Sequence, residues 1–139
     1  MMPLNAFCQI DMDQFIKKIQ NAEEMPRFPG CEEVSTDIKE KDLCARQKMQ
    51  DYFNNKLKYP EQALENKVEG LVFVRFTVNE FGGIEDPMIM RSVGFGCDEE
   101  AIRLVESMNE MEESWIPGKQ EGELVKVFYD ISIYFTLPE

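Results

Sequence analysis

The stretch Leu71-Val72-Phe73-Val74-Arg75-Phe76-Thr77-Val78-Asn79, then Phe81-Gly82-Gly83, then Ile84 to Val93, decides the fold. Val72, Val74, Phe76 and Val78 alternate with Leu71, Phe73, Arg75 and Thr77, which is the period of a strand with one buried face. The glycine pair supplies the positive φ angles of a tight hairpin, so Ile84–Val93 returns antiparallel. Pro87 inside that second strand removes a ladder donor and places it at a sheet edge.

Working outward, Gly94 and Gly96 turn the chain into a helix that opens on Asp98-Glu99-Glu100, acids suited to cap a helix N-terminus. Ala101, Leu104, Val105 and Met108 recur at helical spacing and give it a buried stripe. A polar loop, Asn109–Gly122, holds the only tryptophan, Trp115, whose predicted role is to pack over the helix ends and fix the register of the next strand. Leu124–Leu137 reads as one long final strand. Val125, Val127, Tyr129, Ile131, Ile133 and Phe135 lie on one face, with Leu124, Lys126, Phe128, Asp130, Ser132 and Tyr134 on the other. Upstream, Leu43–Leu57 reads as a helix with Leu43, Met49, Phe53 and Leu57 near one face, and Glu61–Asn66 as one further turn with Ala63 and Leu64 inward. Cys31–Asp42 is acidic and reads as a loop, and Phe15, Ile16 and Ile19 mark a short amphipathic arm or helix within residues 1–25.

The expected domain is therefore α+β and spans residues 26–139. A hairpin followed by a helical crossover makes the third strand parallel to the second, and the simplest antiparallel-type sheet has order two, one, three. Two helices cover the face of Val72, Val74, Val127 and Ile131. The other face, with Phe73, Phe128 and Tyr134, stays open to solvent or a partner.

Composition narrows the function. The chain has 139 residues, enough for one domain and its core. A net charge of −12 repels nucleic-acid backbones and anionic lipid, so neither is an expected partner. With no histidine, every mechanism that needs an imidazole base or ligand is excluded. Met1–Asp11 lacks the basic and apolar regions of a secretory signal, and Leu71–Val78 is too short to span a bilayer. Asp98–Glu123 carries nine acids against Arg103 and Lys119, without an Asp-x-Asp calcium loop, and reads as a solvated face. The nine methionines occupy core-like positions. No metal or cofactor is expected.

Four cysteines, Cys8, Cys31, Cys44 and Cys97, form no Cys-x-x-Cys pair. Cys31 and Cys44 flank the acidic loop and can close it as a disulfide in an oxidising compartment, or remain small buried hydrophobes. Cys97 stands at a helix start, the address of a reactive thiolate, but Asp98, Glu99 and Glu100 oppose ionisation and no base is at hand. Gly94-x-Gly96 matches a phosphate-binding loop only in part, because Glu99 takes the place of the third glycine.

Six short motifs in order resemble one family. They are Met25-Pro26-Arg27-Phe28-Pro29-Gly30, Lys58-Tyr59-Pro60, Val68-Glu69-Gly70, Arg91-Ser92-Val93-Gly94, Asp98-Glu99-Glu100-Ala101 and Trp115-Ile116-Pro117-Gly118-Lys119-Gln120. Together they resemble the C-terminal domain of TonB-type energy transducers, in a form similar to that of Bacteroidetes-like bacteria. The resemblance implies a non-enzymatic periplasmic module that grips an extended peptide, the TonB box, of an outer-membrane transporter for energy-dependent transport. It implies binding by strand addition beside the last strand, at Val125, Lys126, Val127, Phe128, Tyr129, Asp130, Ile131, Ser132, Ile133 and Tyr134. The family's membrane helix and proline-rich linker are not recognisable here, so the expectation is an excised domain or a free-standing relative. Two alternatives stand beside this reading: self-association through the same edge, open to any unprotected strand, and a thiol enzyme using Cys97.

Overall fold

A computed structural model describes residues 22–137. The expected N-terminal amphipathic piece around Phe15–Ile19, and Cys8, lie outside the described residues. The chain runs α1 (Ile38–Lys56), α2 (Glu61–Glu65), β1 (Gly70–Val78), β2 (Ile84–Arg91), α3 (Cys97–Ser107), a 3₁₀ turn at Met108–Glu110, β3 (Gly118–Gln120), β4 (Glu123–Val125) and β5 (Val127–Phe135).

The main sheet has order β2-β1-β5 and is antiparallel throughout, which is the expected two-one-three arrangement. β1 takes the centre because its Val72, Val74, Phe76 and Val78 are all fully buried. Pro87 falls on the edge strand β2, where the register shifts between the partners of Arg75 and Thr77, and neighbouring Asp86 has φ 50. A bulge on an edge strand is where a missing ladder donor does least harm. In the hairpin, Gly82 alone of the three turn residues has positive φ, and a Cβ there would come within 2.1 Å of the Trp115 carbonyl oxygen. The Asn79 side chain completes the turn by accepting from the amides of Phe81 and Gly83.

α3 lays Ala101, Leu104 and Val105 on the sheet, all fully buried, as its periodicity predicts. Its acids do not cap it as expected. The N-cap is Gly96, without a side-chain bond. Asp98 instead reaches back to Ser92 and to the amides of Val93 and Gly94, while Glu100 accepts from the Lys58 amide and pairs with Arg103. The acids thus tie helix to loops, which uses their charge on neighbouring donors rather than on the helix's own.

Three further expectations change. α1 begins at Ile38, inside the stretch read as loop, because Asp37 caps it by accepting from the Lys39 amide at 2.9 Å. Leu43 is 66% exposed, and Ala45 and Phe53 are the buried residues of α1; likewise Leu64 is exposed and Ala63 buried in α2. The long final strand is two strands. β4 pairs with β3 through a hairpin whose Glu121 and Gly122 both have positive φ, and the chain crosses at Lys126 to begin β5 against β1.

Trp115 is 2% exposed and sits among Phe28, Phe76 and Tyr129, with ring centroids 5.8, 5.5 and 5.0 Å away. It therefore packs on the sheet and on the N-terminal arm. The arm itself is tied to the β3 segment by paired backbone bonds between Glu24 and Lys119 and between Arg27 and Ile116. Gly118 is needed there, since a Cβ would meet Val127 Cγ2 at 2.6 Å.

Candidate functional site

The two edges of the sheet are treated differently. On β2 the Asn109 side chain satisfies both peptide groups of Ile84, accepting from its N–H at 2.8 Å and donating to its carbonyl at 2.9 Å. The bulges near Asp86-Pro87 and Met90 distort the rest of that edge. These are the devices by which proteins block unwanted strand pairing. β5 carries none of them: it is nine residues long, in unbroken register with β1 and without proline.

Which groups β5 presents follows from the hairpin. Ile84 turns its N–H and carbonyl to Asn109, away from β1, and the amide of Asn79 bonds the carbonyl of Gly83. Val78, opposite Ile84, thus turns its own peptide groups to the other neighbour, β5. Alternation along β1 assigns Val78, Phe76, Val74 and Val72 to β5, opposite Val127, Tyr129, Ile131 and Ile133. It follows that Phe128, Asp130, Ser132 and Tyr134 direct their N–H and carbonyl groups outward, along the free edge.

Beside that edge lies a groove of about 720 Å³. One wall is Phe128–Ser132. The facing wall is α1, through Asp42, Arg46, Met49, Gln50 and Phe53, with Met25, Pro26 and Arg27 closing the end. The helical residues recur at three and four positions, so they form one continuous face. Lys126 is placed differently: it lies between β4 and β5 with Nζ 3.4 Å from Glu85, and Val125 pairs with Gly118. Of the ten strand residues expected at the site, Phe128–Ser132 line the groove, while Ile133 and Tyr134 continue β5 past it and Val127 begins the strand fully buried.

The electrostatics of the groove are mostly settled internally. Arg27 is 6% exposed and pairs with Glu32 at 2.8 Å and Asp42 at 3.8 Å. The hydrogen bond from Arg27 holds the Glu32 carboxyl below the usual carboxylate range, against a smaller opposing effect of burial. Arg75 forks onto Asp130 at 2.7 and 3.0 Å and lies over the Phe128 ring, 5.1 Å from its centroid. Burial raises the Tyr129 phenol, opposed by the Arg46 guanidinium that lies against it.

Cys31 and Cys44 are bonded to each other, with S–S 1.99 Å and Cα–Cα 5.9 Å, and join the arm to α1. Cys97 is a fully buried free thiol; burial, then Asp98 and Glu99, raise its pKa, which opposes thiolate chemistry. Among the described residues no group of three or more acids or cysteines is arranged to hold a metal, and no helix is long and apolar enough to cross a membrane.

This is an α+β interaction module with one blocked and one open sheet edge. The chain belongs to the TonB C-terminal domain family: residues 55–137 match the Gram-negative bacterial TonB protein C-terminal profile, placing it among transport-energising modules of the TonB type. The fold is similar to two NMR solution structures of the Helicobacter pylori TonB C-terminal domain. The first, of residues 179–285, has TM-score 0.51 and 24% identity over 68% of this chain and 81% of that one. The second, of residues 194–285, has TM-score 0.51 and 25% identity over 68% and 95%. Comparison with curated proteins gave no match.

Proposed function

We propose that this domain is a non-enzymatic periplasmic module that captures an extended peptide of an outer-membrane transporter as an extra strand on β5. The observation that carries the reading is the asymmetry of the sheet. β2 is closed by Asn109 and bulges, whereas β5 offers the outward peptide groups of Phe128, Asp130, Ser132 and Tyr134 in regular alternation. Strand addition uses such main-chain groups for affinity and leaves selectivity to flanking side chains. The membership in the TonB family supports an outer-membrane transporter as partner and the periplasm as compartment.

Amide hydrogen exchange tests this residue by residue. In the free domain the amides of Phe128, Asp130, Ser132 and Tyr134 should exchange quickly, and those of Tyr129, Ile131 and Ile133 slowly. Saturation with a peptide from the transporter's periplasm-facing end should slow the first set selectively. Binding that leaves those four amides unprotected would refute addition to this edge.

A further inference from the structure

The disulfide encloses a stretch that packs on almost nothing. None of residues 32–43, between Cys31 and Cys44, is buried, and Val34, Ile38 and Leu43 are 57%, 43% and 66% exposed. The stretch holds the Asp37 cap and the start of α1, whereas the helix residues that pack on the core, Ala45, Met49 and Phe53, all follow Cys44. A segment that buries so little apolar surface has low local stability, and closing it into a loop is what a disulfide does most for such a segment. The bond between Cys31 and Cys44 therefore carries much of the task of keeping residues 32–43 on the domain.

The same stretch holds the end of the groove shut. Arg27 is 6% exposed and lines that end with Met25 and Pro26. Its carboxylate partners, Glu32 at 2.8 Å and Asp42 at 3.8 Å, both lie inside the closed loop, and Lys41 braces Glu32 at 3.6 Å. If the loop comes away, Arg27 is left as a nearly buried guanidinium without these carboxylates. Burying an unpaired charge is costly enough to turn the side chain out to water, which opens the end of the groove. The main sheet does not draw on the loop: Val72, Val74 and Phe76 of β1 and Val127 and Phe135 of β5 are fully buried in a pairing that lies wholly downstream of it.

We infer that Cys31–Cys44 is a redox latch on the end of the groove, opened by a dithiol reductant. A thiolate of the reductant attacks Sγ of half-buried Cys44 rather than that of fully buried Cys31. The S–S bond breaks, and the departing Cys31 thiolate takes a proton. The reductant's second thiol then attacks its own sulfur in the mixed disulfide and releases Cys44 as a thiol. The protein gains two electrons and two protons, and the reductant leaves as a cyclic disulfide. Residues 32–43 come away, Arg27 loses its carboxylates, and the sheet stays folded. The groove is the one assigned to the captured strand, so the latch regulates that site on the strand-addition reading. Its test uses peptide-free protein, and either can fail without the other.

The experiment compares the oxidised chain with the same protein in excess dithiothreitol, and with Cys31→Ala/Cys44→Ala as a permanently open form. The Lys41 amide donates to the Asp37 carbonyl in the first turn of α1. Hydrogen exchange should show the amides of Lys41, Asp42 and Leu43 protected in the oxidised chain and unprotected after reduction, while those of Ile131 and Ile133 in β5 stay protected. Phenylglyoxal, which modifies accessible guanidinium groups, should label Arg27 slowly before reduction and at a rate approaching that of exposed Arg91 after it, with Arg91 unchanged. The double variant should match the reduced protein, and replacing dithiothreitol by oxidised glutathione should restore both readings in the parent. A bond that dithiothreitol leaves intact in the folded chain refutes the latch. So does a reduced chain in which either those three amides or Arg27 stay shielded, because the bond is then a static staple. Loss of protection at Ile131 and Ile133 refutes it as well, since the bond then supports the whole fold and not the groove's end.

Discussion

The outward assignment of Ser132 against the inward assignment of Ile133 predicts opposite outcomes for proline at adjacent positions. Ser132 is exposed on the open face, and its peptide N–H points away from β1, so Ser132→Pro breaks no internal hydrogen bond. Its cost should be about 1 kcal/mol of backbone misfit. Ile133 is 4% exposed and sits opposite Val72. Ile133→Pro strands a buried carbonyl, costing about 1–3 kcal/mol, and truncates a core side chain, costing about 2 kcal/mol or more. Against a typical total of about 5–15 kcal/mol, the second variant should be largely unfolded or melt far below the parent. Phe128 is a less clean site for this comparison because Arg75 lies over its ring. Circular dichroism melts establish which variant folds, and calorimetry with a transporter-derived peptide reads binding. Ser132→Pro removes one edge donor and leaves a peptide carbonyl unpaired, about 1–3 kcal/mol, or roughly 5- to 150-fold weaker binding. A Ser132→Pro domain that melts near the parent and binds the peptide equally tightly would refute capture at this edge. A well-folded Ile133→Pro domain would refute the assigned register.

Three other outcomes are expected. Thiol titration of unfolded, unreduced protein should count two cysteines of the four, and Cys44→Ser should lose about 3 kcal/mol for opening a loop of sequence separation 13, read by urea melts. Trp115→Ala should cost about 3–5 kcal/mol in the same melts, since the indole joins Phe28, Phe76 and Tyr129. Glu32 has a folded-state pKa below its unfolded value, so its contribution is complete above about pH 4.3 and is lost as pH falls through the folded value. Thermal melts of Glu32→Gln should therefore lie below the parent at neutral pH and converge with it in strong acid.

The hairpin was readable because its physics is local. Alternation in β1, a glycine-rich turn and a proline that only an edge tolerates each constrain the same three strands, and the crossover helix constrains their order. The break at Lys126 was not readable for a related reason. Val125 and Val127 keep the same alternation across it, and a period of two says which face a residue occupies but not which strand it pairs with. The start of α1 did leave a signal, Asp37 followed three residues later by Glu40, which is a helix-entry pattern. Its apolar stripe was misread at Leu43 because the small Ala45, not Leu43, joins Met49 and Phe53 on the inward side. Met49 and Phe53 on that face were found by hydrophobic periodicity, whereas the polar Asp42, Arg46 and Gln50 beside them leave no such signal. The expectation of strand addition came through resemblance, whereas the groove's second wall required knowing that α1 lines the space beside β5.

An open edge strand beside a helix wall also bears on what can occupy it. Strands in a sheet lie about 4.8 Å apart, so a single extended chain needs only a narrow slot between β5 and α1. A second copy pairing edge to edge would have to bring its own α1 and arm into the same space, because both elements flank its β5 as they flank the first. It would also oppose two molecules of net charge −12. The same wall that narrows the site thus works against self-pairing through it, and the liability of an unblocked edge is met without blocking it. On β2, Asn109 engages both peptide groups of Ile84 and the bulges near Pro87 and Met90 break the regular alternation of the rest. One sheet therefore carries two solutions to the same problem, and among the described residues the β5 edge is the one that presents main-chain donors and acceptors in regular alternation to a thin, extended partner.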